Sequence, residues 1–179
     1  FYLKIIRFIL HKSFDLRHSL RQFSRIRLRI RKVTLPRLPS SAIRYQHVDI
    51  LSRIDQLRSL THAGVEVNAA AIAQGIISFS SLIKLHLAVE DKALYPALQR
   101  SGDATLARLG QQFQDDMGPI AQAFDGFARR WNTAERLRSD PQGFRNDANT
   151  VLKRVYERMQ RENREFYPRI EEAQTNAVA

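Results

Sequence analysis

Residues 86–96 read HLAVEDKALYP. His86 and Glu90 stand four positions apart, a spacing that stacks two side chains on one face of a helix and aims both at one point. The residues before them set the period. Ile72, Ile76, Phe79, Ile83, His86, Glu90 and Leu94 recur every three or four positions, the signature of a helix with one buried stripe. This predicts a helix over about 66–95, closed by Pro96, with a turn at Ser101-Gly102-Asp103. Two ionisable residues thus sit where packing calls for apolar ones.

The same pattern extends in both directions. Upstream, Ile43, His47, Ile50, Ile54 and Leu57 predict a helix over about 43–62, ended by Gly64. Downstream, Asp103 is a good N-cap for a third helix. Its stripe is Leu106, Leu109, Phe113, then Asp116 or Met117, then Ile120, Phe124, Phe127 and Trp131, with a kink expected at Gly118-Pro119. A fourth helix opens with Asp140 as cap and Pro141 in the first helical position. It carries Phe144, Ala148, Val151, Val155, Met159, Glu162 and Phe166, and Pro168 is expected to close it. No segment after residue 43 has strand periodicity. The predicted fold is all-α, an antiparallel up-down four-helix bundle over 43–172, with 173–179 as a tail.

Each stripe contains a residue that packing alone does not explain: His47, His86 with Glu90, Asp116, and Glu162. All are metal-ligand types. Three carboxylates facing one another in a core would repel, and burying one unpaired costs several kcal/mol, about 3–5. A divalent cation turns that cost into a binding site. Asp116 is preferred to its neighbour Asp115 because it lies on the stripe. The chain also carries a faint internal duplication. Residues 86–96 align without gaps to 158–168, RMQRENREFYP, so that Glu90, Tyr95 and Pro96 recur as Glu162, Tyr167 and Pro168. Tyr45-Gln46-His47 similarly parallels Phe113-Gln114-Asp115.

The 86–96 segment, with His47 one helix earlier and Glu162…Tyr167-Pro168 at the end, resembles the hemerythrin-like (HHE cation-binding) domains over about residues 43–172. The resemblance implies a four-helix bundle around a non-haem iron site of one or two irons. It also implies a role in oxygen carriage, in sensing oxygen or nitric oxide, or in iron and oxidative stress. The family pattern carries over onto His47, His86, Glu90 and Glu162. It departs in the third helix, which offers aspartates where histidine is usual, and at Arg158, which stands at a histidine position. Arg158 would offset one carboxylate charge and a single dication the rest, giving a one-metal site with a guanidinium in the second metal's place.

Composition narrows the choices. The 179 residues contain no cysteine, which excludes disulfides and thiolate sites, so any metal must be held by nitrogen and oxygen. No run approaches about 18 uninterrupted apolar residues, so no spanning helix is expected. The net charge of +11 comes from the start of the chain: residues 1–44 hold 12 Lys+Arg and one acid, whereas 45–179 hold 17 of each sign. A basic arm over 1–42 of low order is expected, whose first residue is Phe1 and which lies well before the first methionine, Met117. We read it as upstream sequence or part of a fragment. If it is native to the working protein, nucleic acid or anionic lipid becomes a candidate partner.

The expectation is therefore a cytoplasmic iron-binding protein that senses a small diatomic ligand and is not primarily an enzyme. Two other readings compete. One is a metal-free interaction bundle in which Arg158 bridges Glu90 and Glu162; the other is an iron-dependent enzyme that processes oxygen or peroxide. Tyr45, Tyr95 and Tyr156 are candidate hydrogen-bond donors to the site. Limited proteolysis should remove residues 1–42 well before it cuts 45–170; equal resistance of the two segments contradicts the low order expected of the arm.

Overall fold

A computed structural model describes residues 40–178, with side chains from 43 to 176. The expected arm, 1–42, lies outside the described residues except for its last three, which begin the first helix. Among the described residues there is no strand. Helix α1 spans Ser40–His62, α2 Ala69–Val89, α3 Tyr95–Gln99, α4 Ala104–Arg130, α5 Ala134–Ser139, α6 Pro141–Arg161 and α7 Tyr167–Val178. Two π-helical turns, Glu90–Leu94 and Glu162–Phe166, join α2 to α3 and α6 to α7. The chain thus makes four long rods: α1, α2–α3, α4 and α6–α7.

The rods close into a ring. α1 packs on α2 and α6, and α4 packs on α2, α3 and α6. Residue pairings show that each neighbouring pair is antiparallel. Along α1 and α2, His47 meets His86 and Leu57 meets Gly75. Between α2–α3 and α4, Phe79 meets Phe124 and Leu98 meets Gly110. Phe113 and Phe127 of α4 meet Arg158 and Phe144 of α6, and Arg44 and His47 of α1 meet Glu171 and Asn163. In every case the numbers rise on one rod and fall on the other. Apolar stripes facing a common axis from four such rods exclude water between them, which supplies the main stabilisation.

Local chemistry sets the ends. Gly64 has φ of 117°, a left-handed conformation open to glycine, and it ends α1. The Asp103 carboxylate accepts from the Thr105 and Leu106 amides at the start of α4, and Asp140 accepts from the Gly143 amide at the start of α6.

Three sequence expectations change. Pro96 and Pro168 do not close their helices, because a π turn precedes each one. The Tyr95 amide reaches back to the Glu90 carbonyl and the Tyr167 amide to the Glu162 carbonyl, one residue further than in an α-helix. The widened turn makes room for a proline ring that would otherwise strike the carbonyl four residues earlier. The last rod consequently continues through the segment expected to be a tail. Pro119 lies on the exposed face of α4, which runs through it as one helical element. Finally, Ala69–Gln99 forms one rod long and apolar enough to cross a membrane by length and composition. Here it is a wall of the bundle, with Ile72, Ile76, Phe79 and Ile83 in the core.

Phe79 is fully buried with its ring 5.0 Å from that of Phe124 in a T-shaped contact. Phe79→Ala should cost the metal-free protein about 3–5 kcal/mol in urea denaturation; a loss below about 1 kcal/mol would mean that this pair is not part of the core.

Candidate metal centre

His47 comes from α1, His86 from the end of α2, and Glu90 and Glu162 open the two π turns. All four side chains are at most 1% exposed. Each offers a ligand atom, and these atoms lie within 4.8 Å of one another. Asp116 does not join them. It faces solvent and pairs with Arg161 at 2.8 Å, while its neighbour Met117 takes the buried position in the stripe. Both residues fit the helical period. The thioether is the cheaper one to bury, and a third carboxylate inside would add repulsion. Asp115 is also exposed.

The imidazoles are fixed from behind. His47 Nδ1 donates to the Asn163 side-chain oxygen at 2.9 Å, and His86 Nδ1 donates to the Gln46 side-chain oxygen at 3.2 Å. Proton-bearing Nδ1 atoms leave the Nε2 lone pairs free. Both Nε2 atoms are buried and have no hydrogen-bond partner, and neither has Glu162 Oε2. His47 Nε2 and Glu162 Oε2 are 3.2 Å apart without hydrogen-bond alignment. Buried polar atoms left unsatisfied are costly, and three that gather at one point fit a cation. Two imidazole nitrogens and two carboxylates suit iron, manganese or zinc.

The two carboxylates are treated differently. Glu90 accepts from Tyr167 Oη at 2.9 Å and from Tyr95 Oη at 3.3 Å. Glu162 accepts from Arg158 Nε on its Oε1 atom. Arg158 is itself buried; its Nη2 donates to the Phe113 carbonyl at 2.7 Å, and its guanidinium lies 4.6 Å from the Phe113 ring centre. The bridge expected from the sequence, with Arg158 spanning Glu90 and Glu162, does not form: of the two carboxylates Arg158 bonds only Glu162, and its other bond goes to the Phe113 carbonyl. Of the tyrosines named as donors, Tyr95 serves, whereas Tyr45 and Tyr156 are 73% and 43% exposed. Tyr167 takes their place.

Charge states follow from this packing. Burial, and then the Glu162 charge, push the Glu90 carboxyl up to about 8, against the pull of the Tyr167 hydrogen bond. Burial alone would also raise Glu162, but His47 and Arg158 outweigh it and hold that carboxyl below the usual range. Burial, and then neighbouring His47, push His86 down to about 4. Near neutral pH the metal-free centre thus holds neutral His86, protonated Glu90 and ionised Glu162.

Sequence reasoning missed Gln46, Asn163 and the Phe113 carbonyl. The first two had one available signal, since each is an amide residue next to a ligand. The carbonyl had none.

The family model described as the hemerythrin HHE cation binding domain matches residues 38–170. No curated protein and no solved structure matches the chain.

The Glu90 proton sets a pH dependence. It stays on the metal-free protein below about pH 8 and must leave when a cation arrives. Metal affinity should therefore rise with pH between 6 and 8, by at most about tenfold per unit, with about one proton released per site near pH 7. Isothermal titration in buffers of different ionisation enthalpy measures the release; uptake of protons or no exchange would contradict the assignment.

Proposed function

The chain belongs to the hemerythrin HHE cation-binding family, and from that premise we propose that it binds a single iron ion through His47, His86, Glu90 and Glu162 and uses it to sense oxygen, nitric oxide or iron stress. The observation that carries this reading is the convergence of two buried, unpartnered imidazole nitrogens and a carboxylate oxygen on one point. The donor set alone would suit manganese or zinc as well; the family favours iron.

Two features support one ion over two. Arg158 already occupies Glu162 Oε1, and tyrosine hydroxyls cover both Glu90 oxygens, so few lone pairs remain for a second cation. Charge points the same way. Two ionised carboxylates and one guanidinium leave −1, which a single dication more than cancels, whereas two dications would leave a buried +3. Iron held by His47, His86, Glu90 and Glu162 would supply a centre that binds a small diatomic ligand and changes charge by one electron.

The residues of this chain prepare that chemistry. Asn163 and Gln46 hold the imidazoles in the tautomer that donates through Nε2. Arg158 keeps Glu162 ionised. Tyr95 and Tyr167 steady Glu90 and stay protonated, because burial and then Glu90 raise both phenols above their usual range. Phe113 and Phe166, stacked at 4.5 Å, pack beside Arg158 and Tyr167.

Anaerobic loading followed by metal analysis should give about one iron per chain, with near-ultraviolet absorbance on oxidation and a higher melting temperature. His86→Ala should abolish tight binding. Asn163→Ala should weaken it about 10–100-fold by releasing His47. A reproducible two irons per chain, or no binding of any dication, overturns the proposal.

A further inference from the structure

Along the seam between α1 and α6, away from the metal centre, lies a cavity of about 550 Å3. That size falls in the range of small-molecule sites, roughly 300–1,000 Å3. Its floor is Ile54, Ala148 and Leu152, all buried members of the apolar core. The short Ala148 side chain leaves the hollow between its longer neighbours. The rim is different: Arg58, Arg145 and Lys153 stand around it, and no Asp or Glu lines the cavity.

The rim charge is not fully free. Arg58 leans toward Asp55 at 3.7 Å and Lys153 toward Glu157 at 3.8 Å, each acid on the same helix as its partner. Both are long, exposed pairs of little strength. Arg145 has no carboxylate within 4.0 Å among the described residues. The uncompensated charge is thus close to one cation, set beside an apolar trough. A monoanion with an apolar body matches both features; a free inorganic anion leaves the trough unused, and a neutral hydrocarbon leaves Arg145 unpaired.

We propose that this seam binds a free medium- or long-chain fatty acid, the carboxylate at Arg145 with Arg58 and Lys153 around it and the alkyl chain along Ile54, Ala148 and Leu152. Tyr156, partly exposed at the same edge, would cover the chain. The site is independent of the iron reading, since it shares no residue with the metal donors.

The test uses the full chain and titration calorimetry with octanoate, decanoate and dodecanoate below their micelle concentrations. Affinity should rise roughly tenfold for every two methylenes added, as expected for an alkyl chain leaving water. Dodecyltrimethylammonium, with the same chain and the opposite charge, should bind at least tenfold more weakly than dodecanoate. Arg58→Glu with Arg145→Glu should remove at least nine-tenths of the dodecanoate affinity. Asn149→Trp, at an exposed lining position, should block the trough without disturbing the core. Iron content and melting temperature serve as controls for folding in each variant. Affinity that ignores chain length, equal binding of the cationic amphiphile, or binding only to phosphatidylglycerol vesicles and not to free dodecanoate would each overturn the proposal.

Discussion

Polar atoms shut away from water must find partners inside the protein, and that rule governs the middle of this bundle. Two histidines, two glutamates, two tyrosines and an arginine meet in its buried interior. The chain satisfies most of their atoms itself. Amides from Gln46 and Asn163 take the Nδ1 protons, two phenols take Glu90, and Arg158 divides its donors between Glu162 and a backbone carbonyl. What is left over is the pair of Nε2 atoms, Glu162 Oε2 and one arginine nitrogen. The remainder is mostly electron donors gathered together, so the polar core is finished for a cation and unfinished without one.

The internal duplication acquires a structural meaning here. His86 and Arg158 are equivalent in the two copies, and both are buried at the centre. Glu90 and Glu162 both open π turns, and Tyr95 and Tyr167 both follow by five residues. Yet both phenols turn to Glu90, while Glu162 receives the guanidinium. One copy thus supplies a carboxyl that prefers its proton and the other a carboxylate that prefers its charge. The substitution at the position of His86 in the second copy is what breaks the symmetry.

Much of this was legible in the sequence because burial and helical period are the same signal. The stripes of α1, α2 and α6 placed His47, His86, Glu90 and Glu162 inside, and all four are inside. Asp116 was misplaced because two adjacent residues fitted one period; Met117, the cheaper to bury, takes the inner position, and Asp116 pairs with Arg161 outside. The prolines misled for a related reason. Proline is incompatible with a regular α turn, and the sequence gives no separate mark for a π turn that tolerates it. The amide supports of the imidazoles depend on rotamers across two helices, which periodicity does not encode. The fourth rod was legible as a helix, but its length depended on the π turn and was not.

Arg158 brings a consequence of its own. A metal ion comes and goes with its supply; a guanidinium tethered to the backbone does not. Part of the positive counterweight at the heart of the protein is therefore permanent, and only the rest is exchangeable. Phe113 and Glu162 hold that fixed charge between them.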